Sequence, residues 1–524
     1  MPTESALPKL RVYNTLSRQK ETLDPVSPGK VGIYLCGPTV YKPSHIGHMV
    51  GPVIFDAVKR YLVYSGYQVT WVVNITDVDD KLIKESKERG MKMSELAEEM
   101  TADYKNNLRA MGVDTIDYFP KATENIDEII KLTETLIDKG FAYQSGADVY
   151  FEVAKDKEYG KLSRRSVEQM AGEGGDMAER KRSPADFALW KGAKPGEPAW
   201  DSPWGKGRPG WHIECSAMSR KLLGESFDIH GGGLDLIFPH HENEVAQSEC
   251  CHGQPQAKYW MHNGLMQASS EVGKLGGRNT REAAVGDQAA QEAGKIGKSK
   301  GASAFSELLK QFDGETIRFF LLSTHYRRPI DFSIERIEEV RTGLETFYRF
   351  FKRYERTTGE DFYRVPLIAK RAEGDQQPFS GALGEALKGH RTRFIEAMDD
   401  DFNTGGAIGD LFELLRALNK FCDDEKLDNP ASAKPEAIAA LKQGARVLRE
   451  LAGTLGLFRA APQAAGSGQD DALIGKLMDL FIKYRADARK QKNFALGDAI
   501  RKDLGELGII LEDRPTGTEW SLKR

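Results

Sequence analysis

The sharpest chemical signal in the sequence is a His-His-Glu-Asn-Glu segment at residues 240–244. On a helix, His240 and Glu244 are four residues apart and share one face, where an imidazole and a carboxylate can hold one metal ion. Cys36 and Cys215 lie in other motif-dense segments, and the four side chains together would offer two thiolates, one nitrogen and one oxygen, a set that suits zinc. The alternative is that His240 and Glu244 pair on a surface helix and that both cysteines are merely buried.

Two other segments have the composition of a phosphate-binding site. Residues 45–48, His-Ile-Gly-His, follow an apolar stretch and open a predicted helix, so backbone N–H groups and the positive end of the helix could meet a phosphate. Residues 295–299, Lys-Ile-Gly-Lys-Ser, place Lys295 and Lys298 on a loop where they could stabilise charge on a leaving pyrophosphate. Each segment alone is a short pattern that arises often by chance.

Alternating strand and helix patterns must position these residues. Strand-like apolar runs at residues 31–35 and 69–73 flank a helical pattern at residues 53–64, and sheet-like patterning returns at 227–230 and 259–266. This rhythm predicts an α/β catalytic domain with a parallel, doubly wound, Rossmann-like sheet. Three glycines directly after the third strand pattern indicate that a ligand approaches the backbone closely, which favours the metal-site interpretation.

Length and composition limit the class of protein. The 524 residues, 40% hydrophobic and 29% charged, predict several globular domains and exclude a disordered chain. No apolar run is long enough for a bilayer, the N-terminus lacks a signal core, and five cysteines fit a reducing compartment, so we expect a cytoplasmic protein without a membrane partner. The net charge of −4 means that nucleic-acid binding would rest on local basic patches.

Shifts in composition along the chain predict its domains. An irregular stretch rich in glycine, proline and tryptophan indicates an inserted subdomain, a long helical stretch indicates a bundle, and a small polar stretch indicates a linker. The predicted units are two halves of the catalytic domain (1–142 and 210–266), the inserted connective subdomain (143–209), a region with the two lysines and an unusual polar insertion (267–330), a helical bundle (331–460), a linker (461–472) and a small C-terminal unit (473–524).

The motifs occur in the order found in the cysteinyl-tRNA synthetases, a family of class I aminoacyl-tRNA synthetases that this chain resembles. The phrases that carry the resemblance lie at residues 34–41, 74–81, 210–218, 230–249, 259–264, 324–327, 398–404 and 515–520. The resemblance implies activation of L-cysteine by ATP and Mg²⁺ to cysteinyl-adenylate, and transfer of the cysteinyl group to the 3′ end of tRNA(Cys). It also implies a monomer, a bundle that lies along the tRNA and a C-terminal unit that binds the anticodon.

The resemblance also implies roles for individual residues. One Zn²⁺ per chain would bind Cys36, Cys215, His240 and Glu244 and take the thiolate of the substrate cysteine as a further ligand, which selects against the harder hydroxyl of serine. The other roles, by motif match, are Thr76, Trp211 and His230 in the cysteine pocket, His45, Gly47, His48 and Lys298 at ATP, His45, His48, Lys295 and Lys298 in catalysis, and Trp520 at the tRNA. For Trp211 the alternative is a core aromatic residue, and for Trp520 it is a hairpin packed on the preceding helix.

Two features depart from the family pattern. The lysine segment has Ile296 and Gly297 where the family has methionine and serine, and a long polar segment, residues 267–294, precedes it where the family has a short connection. We expect a tolerated surface insertion, with a regulatory or partner-binding role left open. The C-terminal unit also carries basic residues that could neutralise tRNA phosphates, unless they form an ordinary solvated helix face: Arg485, Arg489, Lys490, Lys492, Arg501 and Lys502.

Two other functions stay open. A paralogous ATP-dependent cysteine ligase that acts on an amino sugar would share the catalytic half and lack the anticodon-binding end, which the phrase at residues 515–520 argues against. A non-catalytic tRNA-binding or sensor protein derived from a synthetase would agree with the altered lysine segment. Against that function, both histidines, both lysines and all four candidate ligands are retained.

Overall fold

The computed structural model of the chain describes residues 7–165, 180–268, 304–429, 433–462, 468–514 and 517–522. The predicted lysine segment, with Lys295 and Lys298, lies outside the described residues, as do positions 269–294 of the polar insertion. The chain divides into two compact units, Met1–Glu425 with Pro435–Arg459 and Lys426–Lys434 with Ala460–Arg524. None of the described helices is both long and apolar enough to cross a membrane. The finer domain limits given above stay predictions.

Strands and helices alternate in the first half of the chain, and helices dominate the second half. The strands are β1 (Arg11–Asn14), β2 (Gln19–Thr22), β3 (Lys30–Leu35), β4 (Gln68–Val73), β5 (Ala142–Ser145), β6 (Asp148–Phe151), β7 (Phe187–Gly192), β8 (Gly207–Pro209), β9 (Phe227–Gly233), β10 (Ala257–Asn263), β11 (Met266–Ala268), β12 (Ile330–Phe332), β13 (Ile509–Arg514) and β14 (Gly517–Leu522). The helices are α1 (Gly47–Tyr64), α2 (Asp80–Arg89), α3 (Met93–Ala110), α4 (Ile126–Asp138), α5 (Trp211–Leu223), α6 (Glu242–His252), α7 (Phe305–Leu309), α8 (Gly314–Leu322), α9 (Ile334–Thr358), α10 (Arg371–Asp375), α11 (Gly381–Asp399), α12 (Thr404–Asp424), α13 (Pro435–Thr454), α14 (Gly468–Lys490) and α15 (Phe494–Glu506). This order confirms the predicted α/β half followed by a helical half.

A parallel four-stranded sheet with the order β10-β9-β3-β4 forms the centre of the first unit. Helix α1 supplies the crossover that a parallel pair requires between β3 and β4. The predicted parallel sheet is therefore confirmed. The predicted strand at residues 259–266 is interrupted, because β10 ends at Asn263 and Met266 begins a separate strand, β11, which pairs with β12. A Cβ at Gly264, between these two strands, would lie 2.0 Å from the carbonyl oxygen of Arg328.

The segment between the two halves of the central sheet forms an antiparallel sheet of its own, with the order β5-β6-β7-β8. Trp190 and Leu189 are fully buried in its core beside Phe151. The sequence indicates only an irregular stretch here, because the strands are short and the pairing register shifts between Val149 and Tyr150. A register shift of this kind breaks the alternation of apolar and polar residues by which strands are recognised.

Hydrogen bonds between polar side chains connect helix α1 to the helical half. Buried Asp56 accepts a 2.5 Å hydrogen bond from Arg318 of α8, and Tyr64 donates a 2.5 Å hydrogen bond to buried Glu450 of α13. Burial would raise the pKa of Asp56, but the guanidinium groups of Arg318 and Arg60 hold it below its ordinary value. The helix that opens at the His-Ile-Gly-His segment is thereby held in a fixed position against the bundle.

The second unit consists of α14, α15 and the antiparallel hairpin of β13 and β14. Met478, Leu504 and Leu511 form its small core. The predicted terminal hairpin is present, with Leu511 opposite Trp520. Leu504 of α15 is buried, whereas Leu507, directly after the helix, is 75% exposed.

Candidate active site

The four predicted metal ligands meet at the carboxyl end of the central sheet. Cys36 directly follows β3, Cys215 lies in α5, and Glu244 lies in the first turn of α6. An irregular turn, residues 234–241, leads from β9 into α6 and carries His240 to the same point. Carboxyl ends of parallel strands open at one edge of a sheet, which is where α/β proteins place their ligands.

The four ligand atoms lie within 4.8 Å of one another. The Sγ atom of Cys36 is 3.7 Å from Sγ of Cys215 and 3.4 Å from Oε1 of Glu244. The Nε2 atom of His240 is 3.6 Å from Sγ of Cys215 and 3.1 Å from Oε1 of Glu244. Cys36 is half-buried and the other three residues are buried. The alternative of an ion pair on a surface helix is therefore wrong.

The electrostatics of this cluster fit a bound cation. Burial raises the pKa of the Cys36 thiol well above its ordinary value, and the neighbouring Cys215 and Glu244 raise it further. Burial would also raise the pKa of Glu244, but the charges of His230 and His240 hold it below its ordinary value. Buried thiols beside a carboxylate ionise readily when a metal ion supplies positive charge. Thiolate, imidazole and carboxylate donors together suit a divalent transition metal.

The His-Ile-Gly-His segment lies at the start of α1, an 18-residue helix. His45 is buried, and its Nδ1 atom accepts a 3.1 Å hydrogen bond from the backbone N–H of Gly47. The backbone N–H of His45 donates a 3.1 Å hydrogen bond to Nδ1 of His48, and the centroids of the two rings are 3.9 Å apart. Both imidazoles thus lie at the positive end of a helix, where anions such as phosphate are favoured.

Comparison with known proteins agrees with this geometry. The family model for the class I (C) catalytic domain of tRNA synthetases matches residues 22–275, and the DALR domain model matches residues 393–459. Cysteine–tRNA ligases from Heliobacterium modesticaldum and Symbiobacterium thermophilum are each 46% identical to the chain over 516 and 521 residues, which is 98% of this chain and 99% of theirs. The chain belongs to the cysteine–tRNA ligase family. The cysteine–tRNA ligase of Geobacter sulfurreducens is 44% identical and is covered over 100% of its length.

The fold of this cysteine–tRNA ligase family member is also found in more distant synthetases. Methionyl-tRNA synthetase of Mycobacterium tuberculosis, solved with methionyl-adenylate, superposes with a TM-score of 0.56 over 81% of this chain and 90% of that chain. The sequence identity is 14%. The likeness therefore shows a shared class I synthetase fold.

Trp211 and His230, which the family pattern assigns to the cysteine pocket, both contact metal-ligand candidates. Trp211 is 39% exposed, so the alternative of a core aromatic residue is wrong. Its ring centroid lies 4.3 Å from that of His240, with an angle of 22° between the planes. His230 is fully buried, and its Nε2 atom is 2.9 Å from Oε2 of Glu244. Trp211 therefore lies on the solvent side of the cluster and His230 behind it.

Thr76, the third residue assigned to the pocket, lies just beyond β4 and is buried. Its backbone N–H donates a 3.3 Å hydrogen bond to the carbonyl of Pro38, two residues after Cys36. Its hydroxyl accepts a 3.4 Å hydrogen bond from the side-chain amide of Asn74. Thr76 is thus fixed to the segment that carries the first cysteine.

Two histidines that have no role predicted from the sequence, His241 and His262, lie at the cluster and directly behind it. The Nε2 atom of His241 is 3.3 Å from Sγ of Cys36, and its Nδ1 atom is 2.8 Å from Nε2 of His262. On a regular helix His241 would point about 100° away from His240, so the pattern gave it no role. Both histidines nevertheless border the cluster, because His240 lies beside Cys215 and His241 lies beside Cys36. The available signal was only its position within the same pentapeptide.

The three glycines at the end of β9 lie close to other parts of the protein. A Cβ at Gly231 would lie 2.2 Å from the ring of Phe55 on α1, and a Cβ at Gly232 would lie 2.6 Å from the ring of His241. Gly231 and Gly232 thus leave room for α1 and for a histidine that borders the cluster of candidate ligands. The close approach of a ligand to this backbone stays a prediction.

In the second unit, the residues proposed for tRNA have partners within the protein. Trp520 is half-buried and packs against the core that contains Leu511. Arg485 is buried and bonds Asp513 at 2.5 and 2.7 Å, and Arg489 bonds the same carboxylate at 3.1 Å. The packing of Trp520 agrees with the alternative of a hairpin packed on the helix. Two of the basic residues, Arg485 and Arg489, form ion pairs with Asp513 of the same unit.

Proposed function

We propose that the protein activates L-cysteine with ATP to cysteinyl-adenylate and transfers the cysteinyl group to the 3′ end of tRNA(Cys). The observation that carries the proposal is the convergence of Cys36, Cys215, His240 and Glu244 at one end of the central sheet. Membership of the cysteine–tRNA ligase family supports the same reaction. Cytoplasmic residence and a monomeric state are parts of the proposal.

The cluster would hold one zinc ion through those four residues. When bound, zinc supplies a positive charge that favours a substrate thiolate over the harder and less acidic hydroxyl of serine. Trp211, exposed beside His240, would form the wall of the cysteine pocket. Thr76, fixed to the segment of Cys36, would contact the substrate from the end of β4.

The first step is an in-line attack of the cysteine carboxylate on the α-phosphate of ATP. A bond forms between the carboxylate oxygen and the α-phosphorus, and the bond to the bridging oxygen of pyrophosphate breaks. His45, Gly47 and His48 at the start of α1 would bind the phosphates of ATP, which enters with Mg²⁺. Lys295 and Lys298 would stabilise the charge on the leaving pyrophosphate.

In the second step the terminal hydroxyl of tRNA attacks the carbonyl carbon of the adenylate, and AMP leaves. The protein contributes position and electrostatics to both steps and forms no covalent intermediate with the substrate. The helical half, which matches the DALR domain model at residues 393–459, would bind the tRNA, and the second unit would bind the anticodon.

Charging of total tRNA with labelled cysteine and ATP, with serine as the control amino acid, tests the reaction. We expect charging with cysteine and none with serine. Cysteine-dependent pyrophosphate exchange without tRNA charging would favour the amino-sugar ligase instead. Absence of both activities would favour the non-catalytic tRNA-binding or sensor protein.

Replacement of Trp520 by alanine tests the anticodon unit. We expect the KM for tRNA to rise by about 5- to 150-fold, because stacking of one base on an aromatic ring contributes about 1–3 kcal/mol. Cysteine-dependent pyrophosphate exchange should not change. The control is Leu511→Ala, which disturbs the same small core without removing the ring. An equal effect of both variants on tRNA charging would contradict a direct role of Trp520 at the tRNA.

A further inference from the structure

The metal cluster contains more ligand atoms than one tetrahedral ion requires. Two overlapping sets of four occur in the described part of the chain. The outer ligand set consists of Cys36, Cys215, His240 and Glu244, and the inner ligand set consists of Cys36, His230, His241 and Glu244. In each set all four ligand atoms lie within 4.8 Å of one another.

Glu244 faces both sets with different oxygens. Its Oε1 atom lies 3.1 Å from Nε2 of His240, and its Oε2 atom lies 2.9 Å from Nε2 of His230. Cys36 is likewise shared, since its Sγ atom is 3.7 Å from Sγ of Cys215 and 3.3 Å from Nε2 of His241. An ion could therefore exchange two ligands while it keeps the other two.

The imidazole of His241 is held as that of a metal ligand usually is. The Nδ1 atom of His241 lies 2.8 Å from Nε2 of His262, whose Nδ1 atom lies 2.8 Å from the hydroxyl of Thr15. Such a partner on the far nitrogen fixes the orientation of a ligating imidazole. His230 is packed against Trp260, with ring centroids 4.4 Å apart. Its Nδ1 atom has no hydrogen-bond partner among the residues that the structure describes.

We propose that one metal ion has two overlapping positions in this centre, one in the outer ligand set and one in the inner ligand set. The inference rests on the proposed metal centre and adds that His230 and His241 are ligands in their own right. Its consequence is that the protein keeps its ion when a ligand of one set is removed, and loses it when a shared ligand is removed.

The test is the zinc content of the purified full-length chain after dialysis against metal-free buffer, measured by mass spectrometry of the metal. We expect His240→Ala, Cys215→Ala and His241→Ala each to keep the wild-type zinc content. Cys36→Ala and the double variant His240→Ala/His241→Ala should lose it. In the cobalt-substituted protein, Cys215→Ala should show absorption from one thiolate ligand in place of two.

Two results would contradict the proposal of two ion positions. If His240→Ala and Cys215→Ala lose zinc as completely as Cys36→Ala while their melting temperatures match the wild type, the ion has only the outer position and the proposal fails. Retention of zinc by Cys36→Ala would also overturn it. Cys215→Ser replaces Cys215→Ala if the latter does not fold. Because no readout depends on tRNA charging, zinc retention without charging would count against the proposed reaction alone.

Discussion

Cys36→Ala is expected to reduce the preference for cysteine over serine to the level of an ordinary pocket, about 10- to 200-fold. Cys36 belongs to both groups of metal-ligand candidates, so no complete set of four remains without it. Cysteine-dependent pyrophosphate exchange should fall by more than about 100-fold, because loss of a mere hydrogen-bond partner of a metal ligand already costs about 10- to 100-fold. The measurement is the ratio of kcat/KM for cysteine and serine in that exchange.

Cys251→Ala is the matched control for this prediction. Cys251 is a buried cysteine on α6 that packs in the core beside the antiparallel sheet and belongs to neither metal-ligand set. It should keep the wild-type preference and zinc content. If Cys36→Ala retains a preference far above 200-fold, selectivity arises from the shape of the pocket and the role proposed for the metal is wrong.

His48→Ala is expected to slow formation of the adenylate by about 10²- to 10³-fold, the usual cost of removing one group that stabilises charge in a transition state. His48 lies in the first turn of α1, with its ring beside that of buried His45. The measurement is the rate of cysteine-dependent pyrophosphate exchange at saturating ATP. Zinc content should not change, which separates this effect from damage to the metal cluster.

His390→Ala, in the bundle helix α11, serves as the control because it removes an imidazole far along the chain from the proposed ATP site. We expect the wild-type exchange rate. A loss smaller than about tenfold in His48→Ala, or a loss seen in tRNA charging but not in pyrophosphate exchange, would contradict a role of His48 at the phosphates.

Much of the fold could be predicted because it depends on patterns of apolar and polar residues over short stretches of the sequence. The apolar runs that become β3, β4 and β9 indicate a parallel sheet, and the residue after β3 then lies at its carboxyl end by necessity. The four-residue spacing of His240 and Glu244 also brings the two side chains together in the structure, where Glu244 lies in the first turn of α6. Periodicity of this kind depends on neighbours along the chain and needs no tertiary information.

What could not be predicted depends on contacts between distant segments. His241, at the end of the irregular turn at residues 234–241, contacts Cys36, which lies 205 residues earlier in the chain. In the sequence, Arg485 and Arg489 are typical of a tRNA-binding surface. In the structure, both form ion pairs with Asp513, which lies on a strand beyond the next helix. Neither the shape of an irregular turn nor the choice of an ion-pair partner is encoded in a short window of sequence.

The attachment of α1 to the helical half has a consequence for synthesis on the ribosome. Asp56 leaves the ribosome 262 residues ahead of its partner Arg318, and Tyr64 leaves it 386 residues ahead of its partner Glu450. At a synthesis rate of about 5–20 residues per second, roughly 13–50 s pass between the emergence of Asp56 and that of Arg318. Until then the carboxylate has Arg60 and Thr115 as partners but lacks the guanidinium of Arg318, so part of it stays in contact with water and α1 is not fully buried. The nascent catalytic half therefore completes its folding only after the bundle has emerged, and a chain cut short before Arg318 would remain open to proteases.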